Sequence, residues 1–388
     1  MKVLVIHTFD QPQAGSDHVV KNEIELLQAD GINAELLALR ARTDFISIVQ
    51  MIFDYSAYYK IRRRIRAFKP DIVHLHYLEF GGLAAAVYAV KRFKLPLVCT
   101  LHNYHLLCPS GKLFYKDQLY TDSLKYNFPY KSIRKALYRN SKFLTFGLSF
   151  SMFIHQLAGT WRYFDQIIVS GEFAREIFKR SKLSVLTGRM VIKANFCYPA
   201  EQQRQEPVPA SYYLYAAELT EENGLAVLLE AFADNGLPVK VAGRGFLKKL
   251  VYGYSEFYPN ISLVETDDPG ELDALLEKAT ALIYPSVWYD PFGSMVIRAF
   301  SRGLPVIASG LGHIPEMVTH GFDGLLFEAG NDKDLRSKVD IFQALDGPEQ
   351  KKYRANALQT YLDKYDPQGC ASALGGIYQA CFHPQRMR

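Results

Sequence analysis

The chain has 388 residues, 49% of them hydrophobic and 22% charged, which excludes a disordered or collagen-like chain and suffices for two domains with separate cores. The net charge of +5 conceals an asymmetry: residues 1–200 hold 28 Lys and Arg against 15 Asp and Glu, a net +13, whereas residues 201–388 hold 17 against 25, a net −8. Halves of opposite sign point to two different partners.

Met1-Lys2 runs straight into Val3–Ile6, too short for the apolar core of a signal peptide. Five widely spaced cysteines (Cys99, Cys108, Cys197, Cys370 and Cys381) fit a reducing compartment without a disulfide framework. The apolar stretch Phe143–Ala158 contains Ser, Thr, His and Gln and falls short of a spanning helix. A cytoplasmic location is expected.

Short apolar runs alternate with amphipathic segments of ten or more residues. Strands are expected at Val3–Ile6, Ala34–Leu39, Ile72–His76, Leu97–Leu101 and Gln166–Ser170. A second set follows at Tyr212–Ala216, Val239–Ala242, Ala281–Tyr284, Pro305–Ala308 and Gly324–Phe327. Nearly continuous apolar runs read as parallel strands covered on both faces. The two sets predict an α/β protein of two doubly wound, Rossmann-like domains facing across a cleft, residues 1–199 and 211–366. The polar, proline-bearing segment 200–210 is the expected linker. Ligands of such sheets bind beyond the carboxyl ends of the strands, so the residues after each run are the candidates.

In the first half, Gly15 precedes a helical stretch and would let a ligand approach free helix amides. His74 and His76 share one face at a strand end, and Thr100-Leu-His102-Asn-Tyr-His105 follows the next strand. The histidine and cysteine spacings reproduce no closed zinc site, so no metal is expected. His102 is the candidate ligand contact; His74, His76 and His105 read as buried. The stretch from Lys131 through Arg134, Lys135 and Arg139 to Lys142 predicts a cationic amphipathic helix beside the apolar Phe143–Ala158 helix, a combination suited to an anionic membrane surface. The cluster Arg62, Arg63, Arg64, Arg66 and Lys69 adds to the same field, and no nucleic-acid recognition motif accompanies it.

In the second half, the strand-end segments are Ala217-Glu218-Leu-Thr-Glu-Glu-Asn223-Gly224, Gly243-Arg244-Gly245, Pro285-Ser-Val-Trp-Tyr-Asp290-Pro-Phe292-Gly293-Ser294-Met295, and Ser309-Gly-Leu-Gly-His313. Gly293 and Ser294 would open a helix. At this point the order of segments resembles the family-4 glycosyltransferases, of the two-Rossmann fold called GT-B, over nearly the whole chain. The most specific parts are Pro285–Gly293, Gly303-Leu-Pro-Val-Ile-Ala308, Ile314–Val318 and Asp323–Phe327; Thr100–Tyr104 through Cys108–Gly111 is similar to bacterial surface-polysaccharide members.

The resemblance implies transfer of a hexose from a nucleotide-diphosphate sugar, with retention, to a lipid-linked or membrane-presented glycan in polysaccharide or lipopolysaccharide assembly. It implies no metal and no other cofactor. The second domain would hold the nucleotide and the first the acceptor, with the protein peripheral at the inner face of the plasma membrane. His102 would contact the donor sugar, Asp290 its hydroxyls, and the amides of Phe292, Gly293, Ser294 and Met295 the sugar and phosphates, with Gly15, Gly243 and Arg244 lining the donor site. The family's final helix crosses back to the first domain, so 367–388 would pack there.

Five positions depart from the family pattern, among them Asp290, a methylene shorter than the family's glutamate, and His313, which stands where the family has a second glycine in its donor loop. Glu218 and Asn223 stand where an arginine and a lysine hold the diphosphate. Arg298 stands where a carboxylate takes the ribose, and a guanidinium has no acceptor to offer. A carboxylate ~4 Å from the diphosphate costs about 4 kcal/mol at an effective dielectric near 20. Three arrangements follow: Arg298 pairs with Glu218, it moves to the diphosphate as a replacement cation, or Glu218 points to solvent while Arg298 packs its stem on the helix. A silent GT-B protein that binds glycan or partners an active transferase is the alternative function.

Overall fold

A computed structural model describes residues 1–9, 15–40, 48–199, 212–233, 235–266 and 268–382; the expected linker at 200–210 lies outside them. The chain divides into two compact units, one of Met1–Leu113, Tyr120–Asn195 and Pro367–Arg388, the other of Phe114–Leu119 and Phe196–Asp366.

The first unit is built on β1 (Lys2–Phe9), β2 (Asn33–Arg40), β3 (Ile72–Leu75) and β4 (Leu97–Thr100). The two-residue strands β5 (Phe114–Tyr115) and β6 (Gln118–Leu119) form an antiparallel hairpin that is grouped with the other unit, and β7 (Gln166–Val169) and β8 (Met190–Ile192) complete the sheet of the first. All its pairings are parallel, in the order β2-β1-β3-β4-β7-β8. The order reverses between β1 and β3, so the crevice at a topological switch point opens beyond their carboxyl ends. Val3, Val5, Ile72, Val98 and Ile168 form the core with Val20 and Leu27 of the helix Gly15–Ala29. Leu374 and Tyr378 of the helix Pro367–Phe382 complete that core.

The second unit contains β9 (Tyr212–Ala216), β10 (Val239–Ala242), β11 (Ile261–Val264), β12 (Ala279–Tyr284), β13 (Val306–Ser309) and β14 (Gly324–Phe327). These are also parallel, in the order β11-β10-β9-β12-β13-β14, with the switch point between β9 and β12. Its core joins Tyr213, Val241 and Ile283 of the sheet to Phe232, Leu335 and Phe342 of the flanking helices. At roughly 25 cal/mol per Å² of apolar surface removed from water, these aromatic side chains dominate the packing energy.

The expected cationic helix does not form as one element. A short helix spans Tyr130–Arg134, and the next begins at Lys142, capped by Ser141, whose hydroxyl accepts from Leu144 N at 3.3 Å. Between them Ala136, Arg139 and Asn140 adopt positive φ of 50–53°, a conformation that ends a helix of L-residues. The sharp turn is fastened by Thr145 Oγ1, which accepts from Tyr138 N at 3.0 Å. No described helix is long and apolar enough to cross a membrane.

Candidate functional site

Beyond the carboxyl ends of β1, β3 and β4, at the first switch point, lies a buried cluster of titratable side chains. His7, His74, His76 and His102 are each at most 7% exposed, and Asp17, Glu23 and Lys193 are equally buried. His7 Nε2 is 2.7 Å from Asp17 Oδ1 in the first turn of the helix Gly15–Ala29. His74 contacts Tyr378 OH through Nδ1 at 2.8 Å and Thr100 Oγ1 through Nε2 at 2.7 Å. His76 Nδ1 is 2.8 Å from His102 Nε2. At the centre, Glu23 Oε1 lies 3.2 Å from His76 Nε2 and 3.3 Å from His74 Nδ1, while Glu23 Oε2 accepts from Lys193 Nζ at 3.1 Å.

Burial sets the protonation states. It pushes His7 down to about 4 against the partial restoring effect of Asp17, and it holds His74 and His102 well below the usual imidazole range, with His76 adding to the effect. Glu23 is held well below the usual carboxylate range: burial works against its charge, but Lys193 and the two nearby imidazoles outweigh it. The donor atoms of Glu23, His74 and His76 lie within 4.8 Å of one another, a spacing a metal ion could bridge; the Lys193 ammonium already supplies the cation that Glu23 requires. His105 packs against Gly111, whose absent Cβ would fall 2.2 Å from its ring, and burial lowers it to about 4. Gly15 opens the helix Gly15–Ala29; residues 10–14 before it lie outside the described residues.

At the second switch point the loops after β9, β10 and β12 converge. Gly243 has a φ of +143°, and a Cβ there would fall 2.0 Å from the Ala217 carbonyl oxygen. Gly224 has a φ of +72° and sits against the Pro285 carbonyl. Only glycine allows both approaches. Arg244 is exposed on the loop after β10, and its carbonyl accepts from Leu219 N at 2.8 Å.

The departures from the family pattern now have definite surroundings. Arg298 pairs with neither Glu218 nor an open phosphate position: its Nε donates to Asp273 Oδ1 at 2.8 Å and its NH2 to the Pro269 carbonyl at 2.7 Å. Arg302 binds the same Asp273 carboxylate. Asp273 lies on the helix Pro269–Glu277, and a carboxylate held by two guanidiniums there is a closer anion for Arg298 than the exposed Glu218. Asn223 donates to the Glu218 carbonyl at 2.9 Å and to Thr220 Oγ1 at 3.1 Å, so its amide fastens its own loop. Asp290 accepts from the Tyr284 hydroxyl and from Phe292 N, the latter at 2.9 Å, which shapes the turn into Gly293. Gly293, at φ +55°, precedes the short helix Ser294–Phe300, with Ser294 and Met295 half-buried. His313 Nδ1 contacts Glu316 Oε2 at 3.0 Å.

Sequence reasoning placed His102, Asp290 and Gly243 at strand ends. It missed Asp17, Glu23, Tyr378 and Asp273, which lie on helices, and Lys193, which follows the three-residue strand β8. For Glu23 a signal existed: Val19, Val20, Glu23, Leu26 and Leu27 recur at helical spacing, which puts the carboxylate on the core face.

Two family models cover most of the chain: Glycosyltransferase Family 4 matches residues 15–181, and Glycosyl transferases group 1 matches residues 200–360. An uncharacterized glycosyltransferase of Methanocaldococcus jannaschii is 24% identical over 171 residues, 44% of this chain and 48% of that relative, so the match spans about half the relative's length. Glycogen synthase of Mycobacterium tuberculosis is 24% identical over 335 residues, 83% of this chain and 71% of that protein. Anabaena HepE, solved in complex with UDP-glucose, superposes with a TM-score of 0.68 at 14% identity, covering 98% of this chain and all of that one. With two parallel α/β units and both halves matched by family models, the chain belongs to the family-4 glycosyltransferases of GT-B fold.

Proposed function

We propose that the protein transfers a hexose, with retention, from a nucleotide-diphosphate sugar to a lipid-linked or membrane-presented glycan in bacterial polysaccharide or lipopolysaccharide assembly. The observation that carries the donor assignment is the glycine-enforced convergence of the loops after β9, β10 and β12 at the second switch point. The nucleotide diphosphate binds there. Because Arg298 is committed to Asp273 and the Phe292 amide to Asp290, the amides of Gly293, Ser294 and Met295 and the Arg244 guanidinium take the phosphate charge, while Asp290 accepts from sugar hydroxyls.

The reaction is a front-face displacement. The acceptor hydroxyl oxygen bonds to the anomeric carbon as the bond from that carbon to the diphosphate breaks, and the hydroxyl proton passes to a donor phosphate oxygen. Amide dipoles aimed at the leaving diphosphate supply the largest stabilisation. No step requires a metal.

Titration of the purified chain with UDP, GDP and their sugars tests this reading. The expected result is micromolar affinity for one nucleotide and slow hydrolysis of its sugar. Absence of binding to every nucleotide would overturn it and leave a silent GT-B protein that binds glycan or partners an active transferase.

The acceptor side of the proposal rests on the surface of the first unit. Tyr126, Tyr130, Phe143 and Phe146 are exposed along the segment that carries the cations Arg134, Lys135, Arg139 and Lys142. Lys131 is 3.2 Å from Asp122, and Arg139 is 3.9 Å from Glu79. A second basic hollow of about 660 Å³ is lined by Tyr59, Arg62, Arg63 and Arg66. Apolar side chains that insert at headgroup depth, ringed by cations, suit the anionic inner face of a plasma membrane. Replacing Lys131, Arg134, Lys135 and Arg139 together by glutamine should weaken binding to phosphatidylserine-containing vesicles at least tenfold, given ~1 kcal/mol per surface cation. Unchanged sedimentation with the vesicles would reject membrane docking.

A further inference from the structure

The helix Tyr55–Phe68 of the first unit has two unlike faces. Ala57, Ile61, Ile65 and Phe68 recur at helical spacing and are buried. The other side carries Tyr59, Arg62, Arg63 and Arg66, which with Ala67 line the hollow of about 660 Å³. The helix contains the cations Lys60, Arg62, Arg63, Arg64 and Arg66 and no acidic residue. Arg64 pairs with Glu35 of β2. Among the described residues, Arg62, Arg63 and Arg66 pair with no carboxylate.

Two of these guanidiniums are held in place without being neutralised. Arg62 lies 5.1 Å from the ring centre of Tyr58, and Arg66 lies 5.9 Å from that of Phe93. A π face positions a guanidinium and leaves its charge intact. Arg62 Nε is buried with no hydrogen-bond partner among the described residues, so part of that group has left water without a counter-charge. Arg62 and Arg66 stand at i, i+4, and Arg63 and Arg66 at i, i+3, where like charges repel. A bound anion relieves that repulsion and offers the N–H groups an acceptor.

The rest of the lining selects the kind of anion. From Tyr59 to Arg66 the helix advances about 10 Å, more than a single phosphate or carboxylate group spans. Tyr59 is 63% exposed and stands edge-on to Tyr58, with ring centres 5.5 Å apart. Its ring thus has a face open to a flat partner such as the C–H face of a sugar. Apart from Tyr59 and Ala67 the lining is cationic, so it offers no aliphatic or phenyl group to insert into a bilayer.

We infer that this face of the helix binds an anionic oligosaccharide, with Arg62, Arg63 and Arg66 paired to its carboxylate or phosphate groups and the Tyr59 ring stacked on a sugar. A guanidinium fork suits such bidentate pairing better than an ammonium. The helix ends three residues before β3 begins, so its Arg66 end lies at the amino ends of the strands, opposite the crevice of the first switch point. The inference deepens the proposed function and rests on it for the glycan's role as acceptor: the glycan carries negative charge and is held on this helix, away from its reacting end.

Calorimetric titration of the full chain with tetragalacturonate, phosphorylated maltotetraose and plain maltotetraose tests the site, the first two probes distinguishing carboxylate from phosphate. The expected result is that a charged tetrasaccharide binds and the neutral one does not. Arg62→Gln, Arg63→Gln and Arg66→Gln together should weaken that binding about tenfold, the yield of three exposed ion pairs each weak alone. Tyr59→Ala should weaken it about threefold, and Tyr59→Phe, which keeps the ring, should not. All four side chains lie off the buried face, and far-UV circular dichroism checks that the helix survives.

Failure of both charged tetrasaccharides to bind, equal binding of maltotetraose, or an affinity unchanged in the arginine variant would overturn the inference. So would poly(glycerol phosphate), which has no sugar ring, binding as tightly and without regard to Tyr59, since that marks a patch for any polyanion. Phosphatidylserine vesicles that bind through these arginines while the tetrasaccharides do not would mark a membrane contact and overturn it too. Residue-dependent tetrasaccharide binding in a chain that binds no nucleotide would sustain the site and sink the donor assignment instead.

Discussion

The first unit is expected to lose most of its stability between pH 7 and pH 5. Three buried histidines and the half-buried His105 drive this: His7 and His105 are lowered to about 4, and His74 and His102 lie well below their ordinary value. Their unfolded values are about 6.5. Below that pH the unfolded chain binds protons that the folded chain excludes, so stability falls as pH drops from about 6.5 towards 4. Each fully excluded proton contributes ~1.4 kcal/mol per pH unit, and four together are comparable with the ~5–15 kcal/mol that holds a domain folded. Glu23 extends the same trend: its folded value is depressed, so its contribution is present above about 4.5 and is lost at lower pH. Urea midpoints at pH 8, 7, 6 and 5 measure the effect. Trp161, buried in the first unit, is the reporter once Trp288 is replaced by phenylalanine. A midpoint constant from pH 7 to 5 would show that the cluster is not neutral as described.

In the second unit, Gly224→Ala should cost about 3 kcal/mol or more. The new Cβ would lie 1.8 Å from the Pro285 carbonyl oxygen at a φ of +72°, so both the close approach and the left-handed conformation oppose it. Gly236→Ala separates the two contributions. Gly236 has nearly the same φ, +68°, and no atom within 4 Å of where a Cβ would stand, so only the conformational cost of roughly 1–2 kcal/mol applies. Urea unfolding followed by Trp288 compares them. Equal losses at the two positions would mean that the loop at 224 relaxes away from Pro285 and that the second switch point is less constrained than the geometry requires.

The sheets were legible in the sequence because a parallel strand covered on both faces is apolar along most of its length. Tyr212–Ala216, Val239–Ala242 and Gly324–Phe327 coincide with their strands. β8 was not legible: three residues, Met190–Ile192, give too short a period to stand out. Nor was β11, whose Ile261 and Leu263 alternate with a serine and a valine beside a polar turn. The cationic helix failed for a local reason, since the propensity of Lys131 to Lys142 is overruled by three left-handed residues and the Ser141 cap. Strand-end residues such as His102 and Asp290 could be placed because fold topology says where to look. The partners that set their chemistry could not. Lys193 reaches Glu23 across 170 positions, and Asp273 takes Arg298 across 25; neither pairing leaves a trace in local spacing.

The hydrogen bond between His74 and Tyr378 joins residues 304 positions apart, and Leu374 and Tyr378 are part of the first core. That arrangement imposes an order of events on synthesis. While the second unit emerges from the ribosome, the first has no Tyr378 for its His74 and a core still open where the helix Pro367–Phe382 belongs. It must wait as an unfinished intermediate, with apolar surface showing, until that helix has been made. The unit that starts first is thus the one that closes last, and a chain stopped at residue 366 would have a finished second unit beside a first that cannot close.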